Sequence, residues 1–164
     1  MINIIAAIGK KNELGKDNGL IWNIPKDLKF FREKTRNSII VMGRNTFNSL
    51  PKILPGRKHI ILSSTNNFNK EINEQVTVIN NKEDLINLCK KISENNEVFI
   101  IGGASLYSMF IDIADVLYIT HIEKVEETAD VYFPKIDEAK WKKKILANDE
   151  DNNIKFSWVE YTKI

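Results

Sequence analysis

Three segments of this 164-residue chain follow directly on short apolar runs, and each carries groups suited to a phosphate. Gly102-Gly103-Ala104-Ser105 follows the run Glu97–Ile101 and opens a helical pattern. A glycine pair lets a ligand approach the backbone closely, and the first turn of a helix presents unpaired N–H groups to an anion. The third glycine of the dinucleotide fingerprint is missing, so this is not a Rossmann motif, and a plain tight turn is the alternative. Met42-Gly43-Arg44-Asn45-Thr46 has the same strand–glycine–helix form. Arg44 could pair a phosphate through its fork of donors, and Thr46 could donate to one, or Thr46 could cap a helix beside a solvated Arg44. Ser63-Ser64-Thr65 offers three hydroxyls for an anion, or a polar turn. Three strand ends of one character together suggest a phosphate-bearing cofactor laid across a sheet.

A fourth candidate is a lone acid. In Trp22-Asn23-Ile24-Pro25-Lys26-Asp27-Leu28-Lys29-Phe30-Phe31, helical spacing places Ile24, Asp27 and Phe31 on one face. A carboxylate among apolar groups has a raised pKa, which suits proton transfer. The alternative is that Asp27 satisfies the early N–H groups of the helix that Pro25 opens. Cys89 falls on the apolar stripe Leu85, Leu88, Cys89, Ile92 and reads as core. His59 and His121 lie in strand patterns with no nucleophile or ligand set identifiable beside them. Arg57 follows the Pro55-Gly56 turn and could bind a carboxylate, or simply be a solvated surface residue. One Cys and two His do not build a common zinc site, so no metal is expected.

The elements that would hold these residues alternate. Apolar strand patterns cover Ile2–Ile8, Ser38–Met42, Lys58–Ser63, Val76–Ile79, Glu97–Ile101 and Val116–His121. Helical patterns cover Lys26–Thr35, Arg44–Leu50, Lys82–Ile92 and Ala104–Ile113, and Gly9 to Gly19 reads as a loop. Late strands are expected at Ile154–Thr162 and within Lys140–Leu146. This is the pattern of one α/β domain over residues 1–164, with a largely parallel sheet and an antiparallel C-terminal edge. Ligands of such sheets bind beyond the carboxyl ends of the strands.

Composition excludes several classes. A net charge of +2, from 24 basic and 22 acidic residues, is too balanced to signal nucleic-acid or membrane binding. No apolar run approaches the length of a membrane span, and the N-terminus lacks the basic leader of a signal peptide. A single cysteine fits a reducing cytoplasm. The seven glycines all lie at or before residue 103.

The chain resembles bacterial dihydrofolate reductase over essentially its full length. The matching segments are Ile5-Ala6-Ala7, Leu20 to Phe31, Val41 to Thr46, Leu54 to Lys58, Ile61 to Ser64, Ile100 to Gly103 and Tyr118 to His121. The resemblance implies a mainly parallel eight-stranded sheet with flanking helices, and NADPH-dependent reduction of 7,8-dihydrofolate to tetrahydrofolate in one-carbon metabolism. It implies a cytoplasmic monomer inhibited by antifolates such as trimethoprim or methotrexate. Asp27 matches the family's acidic residue, which binds the pterin and promotes protonation at N5, and Trp22 matches the residue that orders a water beside it. Ile5, Ala6, Leu28, Phe31, Leu50, Leu54 and Ile101 would line the substrate pocket, and Thr120 would support Asp27. Arg57 would take the glutamate α-carboxylate, with Lys52 at the entrance, where some relatives have Arg.

For the cofactor, the resemblance implies Ala7 and Ile101 beside the nicotinamide, and Leu14, Gly15, Asn18 and the catalytic-loop residue Leu20 in a closing loop braced by Asp130. It places Gly43, Arg44, Asn45, Thr46, Leu62, Ser63, Ser64 and Thr65 along the phosphates and adenosine. Gly102, Gly103, Ala104, Ser105, Leu106 and Tyr107 match the pyrophosphate helix, the two glycines as a cis pair. Ser105 replaces a basic residue of some relatives, leaving more of the 2′-phosphate to Arg44 and Ser64. Ile21 stands where the family usually has Pro, a change expected to loosen or re-time the loop. Two rivals are a related reductase of riboflavin synthesis, not expected to keep Asp27 with Arg57, and a non-catalytic NADPH- or pterin-binding protein.

Overall fold

A computed structural model describes residues 1–16 and 19–164. Its centre is an eight-stranded sheet. The strands β1 (Ile2–Ile8), β4 (Ile39–Gly43), β5 (Lys58–Leu62), β6 (Val76–Ile79), β7 (Val98–Gly102) and β8 (Val116–Ile122) run parallel. The strands β10 (Trp141–Asp151) and β11 (Ile154–Lys163) form an antiparallel pair that joins through β11 to β8. The order is β10-β11-β8-β1-β7-β4-β5-β6. The apolar runs are continuous because both faces are covered, as parallel sheets require.

Alternation along each strand divides the core. Ile4, Ile8, Val41, Ile60 and Ile100 pack with Leu85 and Cys89 of helix α3 (Lys82–Ile92) and with Leu106 and Phe110 of α4 (Ala104–Phe110). Ile5, Ile40, Met42, Ile61 and Phe99 point the other way, toward Phe30 and Phe31 of α1 (Pro25–Thr35) and Phe47 of α2 (Arg44–Ser49). Burial raises the Cys89 thiol to about 12, so it stays a protonated core side chain. Among the described residues, no helix is long and apolar enough to cross a membrane.

Two local patterns differ from the sequence expectation. The segment read as a loop contains β2 (Glu13–Lys16), which pairs with β3 (Gly19–Leu20) and with β9 (Val131–Tyr132) in a second, three-stranded sheet. These strands are two to four residues long, too short to show a period, and β9 is remote in sequence. The C-terminal hairpin is longer than Lys140–Leu146 suggested, because a bulge between Ile145 and Ala147 breaks the alternation of β10. Its turn uses Asn152 and Asn153 at φ of 50° and 62°, where glycine is the usual choice.

Candidate active site

Helix α1 sets the acid in place. Pro25 occupies its first turn, and Ile24 at the N-cap offers no capping oxygen. The Lys26 N–H instead donates to Asp151 Oδ2 of β10 at 2.9 Å, and Lys26 Nζ pairs with Asp149 at 2.9 Å. Asp27 is thereby freed from capping. Its carboxylate turns to the sheet, where Oδ1 accepts from the Thr120 hydroxyl at 2.6 Å and from the Trp158 indole N–H at 2.9 Å. Burial holds its pKa above the ordinary carboxylate value, partly countered by these two donors.

Trp158 was missing from the sequence expectation. The signal is register: β11 places Trp158 directly opposite Thr120 on β8, and Thr120 lies opposite Ala7 on β1. Trp22 packs in the same apolar cluster as Trp158, Ala7, Ile24 and Phe156. The pterin-side residues expected from the sequence also converge, since Ile5, Phe31, Leu50, Leu54 and Ile101 share one cluster with Phe30 and Tyr118. Ala6 is buried within β1, and Leu28 on α1 is exposed.

Arg57 is 7% exposed, not a surface side chain. Its Nε donates to Thr35 Oγ1 at 3.1 Å, and its terminal nitrogens donate to the carbonyls of Pro55 and Arg32, each at 3.0 Å. Guanidinium has five N–H donors, so one remains on each terminal nitrogen, a ready fork for a carboxylate. Burial, then Arg36 and Arg32, hold its pKa below the ordinary value, and the surrounding field is positive. His59 secures this turn: its Nε2 accepts from Leu54 N at 3.0 Å, which leaves Nδ1 to donate to Arg57 O at 3.0 Å. Lys52 is exposed nearby in sequence.

A cleft of about 740 Å³ opens along the strand ends. It is lined by Leu14, Gly15 and Leu20, by Gly43 to Thr46, by Leu62, and by Ile101 to Tyr107. Lys16, Ser49 and Val131 also line it, which the sequence did not suggest. Ile101 belongs both to this cleft and to the apolar cluster near Asp27, so the two regions meet there. The Gly102–Gly103 peptide is cis, and Gly102 has φ +127°. A Cβ on Gly102 would stand 3.3 Å from Tyr107 Oη and 3.4 Å from Thr46 Oγ1. The Tyr107 hydroxyl is spent inside the fold, donating to Ile5 O at 2.8 Å. Neither α2 nor α4 has a side-chain cap, so Thr46 is not one. Ser63, Ser64 and Thr65 lie outside the lining: the Ser63 hydroxyl closes its own turn against Thr65, and Ser64 and Thr65 are exposed. Asn18 lies outside the described residues.

The β2 hairpin hangs over this cleft and is tied down by a buried acid. Glu13, 1% exposed, accepts from the backbone N–H of Lys11 and of Glu126, each at 2.6 Å. Burial works to raise its pKa, but the N–H bonds outweigh it and the carboxyl sits below its ordinary value. Asp130 N–H donates to Gly15 O at 3.2 Å, a second tie between the same segments. Gly9 stands between Glu13 and Trp22: an added Cβ would lie 2.5 Å from the indole and 2.7 Å from the carboxylate. Gly9→Ala should therefore destabilise the fold by about 1–3 kcal/mol, read by urea denaturation. An unchanged midpoint would mean the indole moves aside freely.

Fold and site together define an α/β protein with a cleft along the carboxyl ends of a parallel sheet, the place where ligands of such sheets bind. Residues 1–163 match the family model for dihydrofolate reductase. The dihydrofolate reductase of Bacillus subtilis is 36% identical over 166 residues, covering 99% of this chain and 95% of its own. That of Buchnera aphidicola subsp. Baizongia pistaciae is 38% identical over 156 residues, covering 93% and 91%. The structure of dihydrofolate reductase from Enterococcus faecalis complexed with NADP(H) and RAB-propyl superposes with a TM-score of 0.81 at 31% identity, covering 99% of this chain and 96% of that one. The chain belongs to the dihydrofolate reductase family.

Proposed function

We propose that the protein reduces 7,8-dihydrofolate to 5,6,7,8-tetrahydrofolate with NADPH. The observation that carries this reading is Asp27, a half-buried acid held from one side by Thr120 and Trp158 beside an apolar pocket. Helix α1 supports the length of the ligand: from Asp27 to Thr35, which holds Arg57, is about 12 Å of helix, a span suited to a pterin joined through a benzoyl group to glutamate. Asp27 would pair with the pterin amino and ring N–H groups. The cluster of Ile5, Phe31, Leu50 and Leu54 would hold the flat rings, and the Arg57 fork would take the α-carboxylate.

The cleft fits a dinucleotide in chemistry and shape. Gly102 leaves a cradle that a Cβ would fill, the first turns of α2 and α4 have no side-chain caps, and Arg44 brings a cation to the lining. Bound there, held by Gly43 to Thr46 and Gly102 to Tyr107, NADPH would supply the hydride for the pterin ring. Asp27 promotes the proton's arrival at N5, and burial, which holds its pKa above the ordinary carboxylate value, favours the proton-carrying form that this role needs. Leu20, 79% exposed on the hairpin over the cleft, would cover the reacting rings when the hairpin closes. Diaminopyrimidine antifolates such as trimethoprim, and methotrexate, would place their cationic ring on the Asp27 carboxylate.

NADPH labelled with deuterium at its transferable position should yield tetrahydrofolate labelled at C6, and label lost to water would remove direct transfer. Arg44→Ala should weaken NADPH by about 10–100-fold, the worth of a charged hydrogen bond, while leaving NADH little changed. Equal losses for the two would mean that Arg44 does not read the 2′-phosphate.

A further inference from the structure

We propose that Trp158 is a positioning residue for the proton at Asp27: its indole N–H, sharing Oδ1 with the Thr120 hydroxyl, reserves Oδ2 as the oxygen that carries and delivers the proton. This rests on the reduction proposed above and refines it at the same site.

The chemistry follows from what each donor can do. A threonine hydroxyl can rotate and accept, so Thr120 alone would tolerate a proton on either carboxyl oxygen. An indole N–H donates only. A proton on Oδ1 would set O–H against N–H across 2.9 Å, so neutral Asp27 keeps its hydrogen on Oδ2. Among the described residues none hydrogen-bonds Oδ2, and no described side-chain oxygen is sealed without a partner, so Oδ2 remains open to a ligand.

The indole is poorly placed to swing away. It stacks on Phe30 of α1 with centroids 5.0 Å apart and planes 10° apart, and Phe156 meets it edge-on at 5.1 Å. Pairing opposite Thr120 fixes its height along β11, so both donors reach one oxygen from adjacent strands. The resemblance to relatives points to Trp22 for water ordering, and the direct indole bond belongs to Trp158. The charged groups on neighbouring elements do not take over this role. Lys26 of α1 is held by Asp149 of β10, and Asp151 caps Lys26 N. Burial, which raises the Asp27 pKa, and the Thr120 and Trp158 hydrogen bonds, which lower it, are the influences on this carboxyl among the described residues.

The test is an NMR titration of the ligand-free full chain, with isotope-labelled aspartate carboxyls and tryptophan indoles. In the unaltered protein, the Trp158 indole proton should shift with the same midpoint as the Asp27 carboxyl, and that of Trp141 should not. Trp158→Phe keeps a ring on Phe30 but removes the donor that favours the charged carboxylate. The Asp27 midpoint should then rise by about one pH unit. The falling limb of kcat/KM for dihydrofolate should move up with it, because the protonated form persists to higher pH. A merely structural role would lower stability and turnover without moving either midpoint. An indole proton silent through the Asp27 titration, or an unmoved midpoint in Trp158→Phe, overturns the proposal. If that variant does not fold, the titration of the unaltered protein decides. The titration needs no turnover, so absence of dihydrofolate reduction would count against the proposed reaction and leave the positioning role of Trp158 to stand or fall on the midpoints alone.

Discussion

Asp27→Asn should cut dihydrofolate turnover at neutral pH by about 10²–10⁴-fold, the usual worth of a positioned general acid. The amide oxygen of the variant can still accept from Thr120 and Trp158 at the place of Oδ1, so the frame of the site survives. What disappears is a group that releases a proton. The loss should shrink as pH falls, because solvent then protonates the substrate unaided. Stability should move in the opposite direction. A carboxyl whose folded pKa is raised binds more protons folded than unfolded, so its contribution to stability falls as pH rises from the unfolded value through the folded one. Replacing it removes that liability, and at neutral pH Asp27→Asn should melt no lower than the unaltered protein. Circular dichroism melts beside pH–rate profiles check both halves. Full neutral-pH turnover in the variant would take Asp27 out of its role.

Arg57→Lys should raise KM for dihydrofolate by about 10–100-fold, as expected when a bidentate charged pair becomes a single point contact. The effect should be specific to the tail. A dihydropterin without the benzoyl-glutamate should lose little, because it never reaches Arg57. Lysine is the informative replacement because it keeps the cation and an ammonium donor at this place, whereas Arg57→Ala would remove the charge and every donor to Thr35 Oγ1 and to the carbonyls of Arg32 and Pro55. Leaving such buried acceptors unpaired costs stability of about 1–3 kcal/mol. Steady-state kinetics on the two substrates separates the readings, and equal losses on both would mean that Arg57 acts only through the fold.

Much of this arrangement is legible in the sequence, and the reasons differ by element. The strands β1, β4, β5, β7 and β8 are buried on both faces, so their apolar runs are unbroken and visible. Helix α3 shows its stripe because only one face is buried, and its observed span, Lys82–Ile92, is the expected one. The pairing of β2 with β9 left no local trace, since a two-residue partner has no period. Asp27 was legible as a candidate, but its choice between cap and site depended on Asp151, which takes the helix N–H from a hairpin far along the chain. Trp158 was hidden for the same reason: its partner is set by strand order, with β11 beside β8. Arg57 looked like a solvated residue after a turn, and the end of α1 brings two of the three acceptors that hold it, Thr35 Oγ1 and the Arg32 carbonyl, beside the Pro55 carbonyl of its own turn.

The glycines make the same point. Gly43 and the Gly102-Gly103 pair line the cleft, and Gly9 is squeezed between an indole and a buried carboxylate. Beyond residue 103 the chain turns its last hairpin on two asparagines with positive φ. The absence of glycine there reflects a different residue doing the same backbone work.

The most direct measurement is oxidation of NADPH by the purified protein with dihydrofolate supplied or withheld, and with a ribosylaminopyrimidine as the rival substrate. NADPH should be consumed only when dihydrofolate is present, with tetrahydrofolate formed one for one and methotrexate stopping the reaction. No consumption with dihydrofolate, or consumption with the ribosylaminopyrimidine instead, would contradict the assignment of Asp27, Arg57 and the cleft to dihydrofolate reduction.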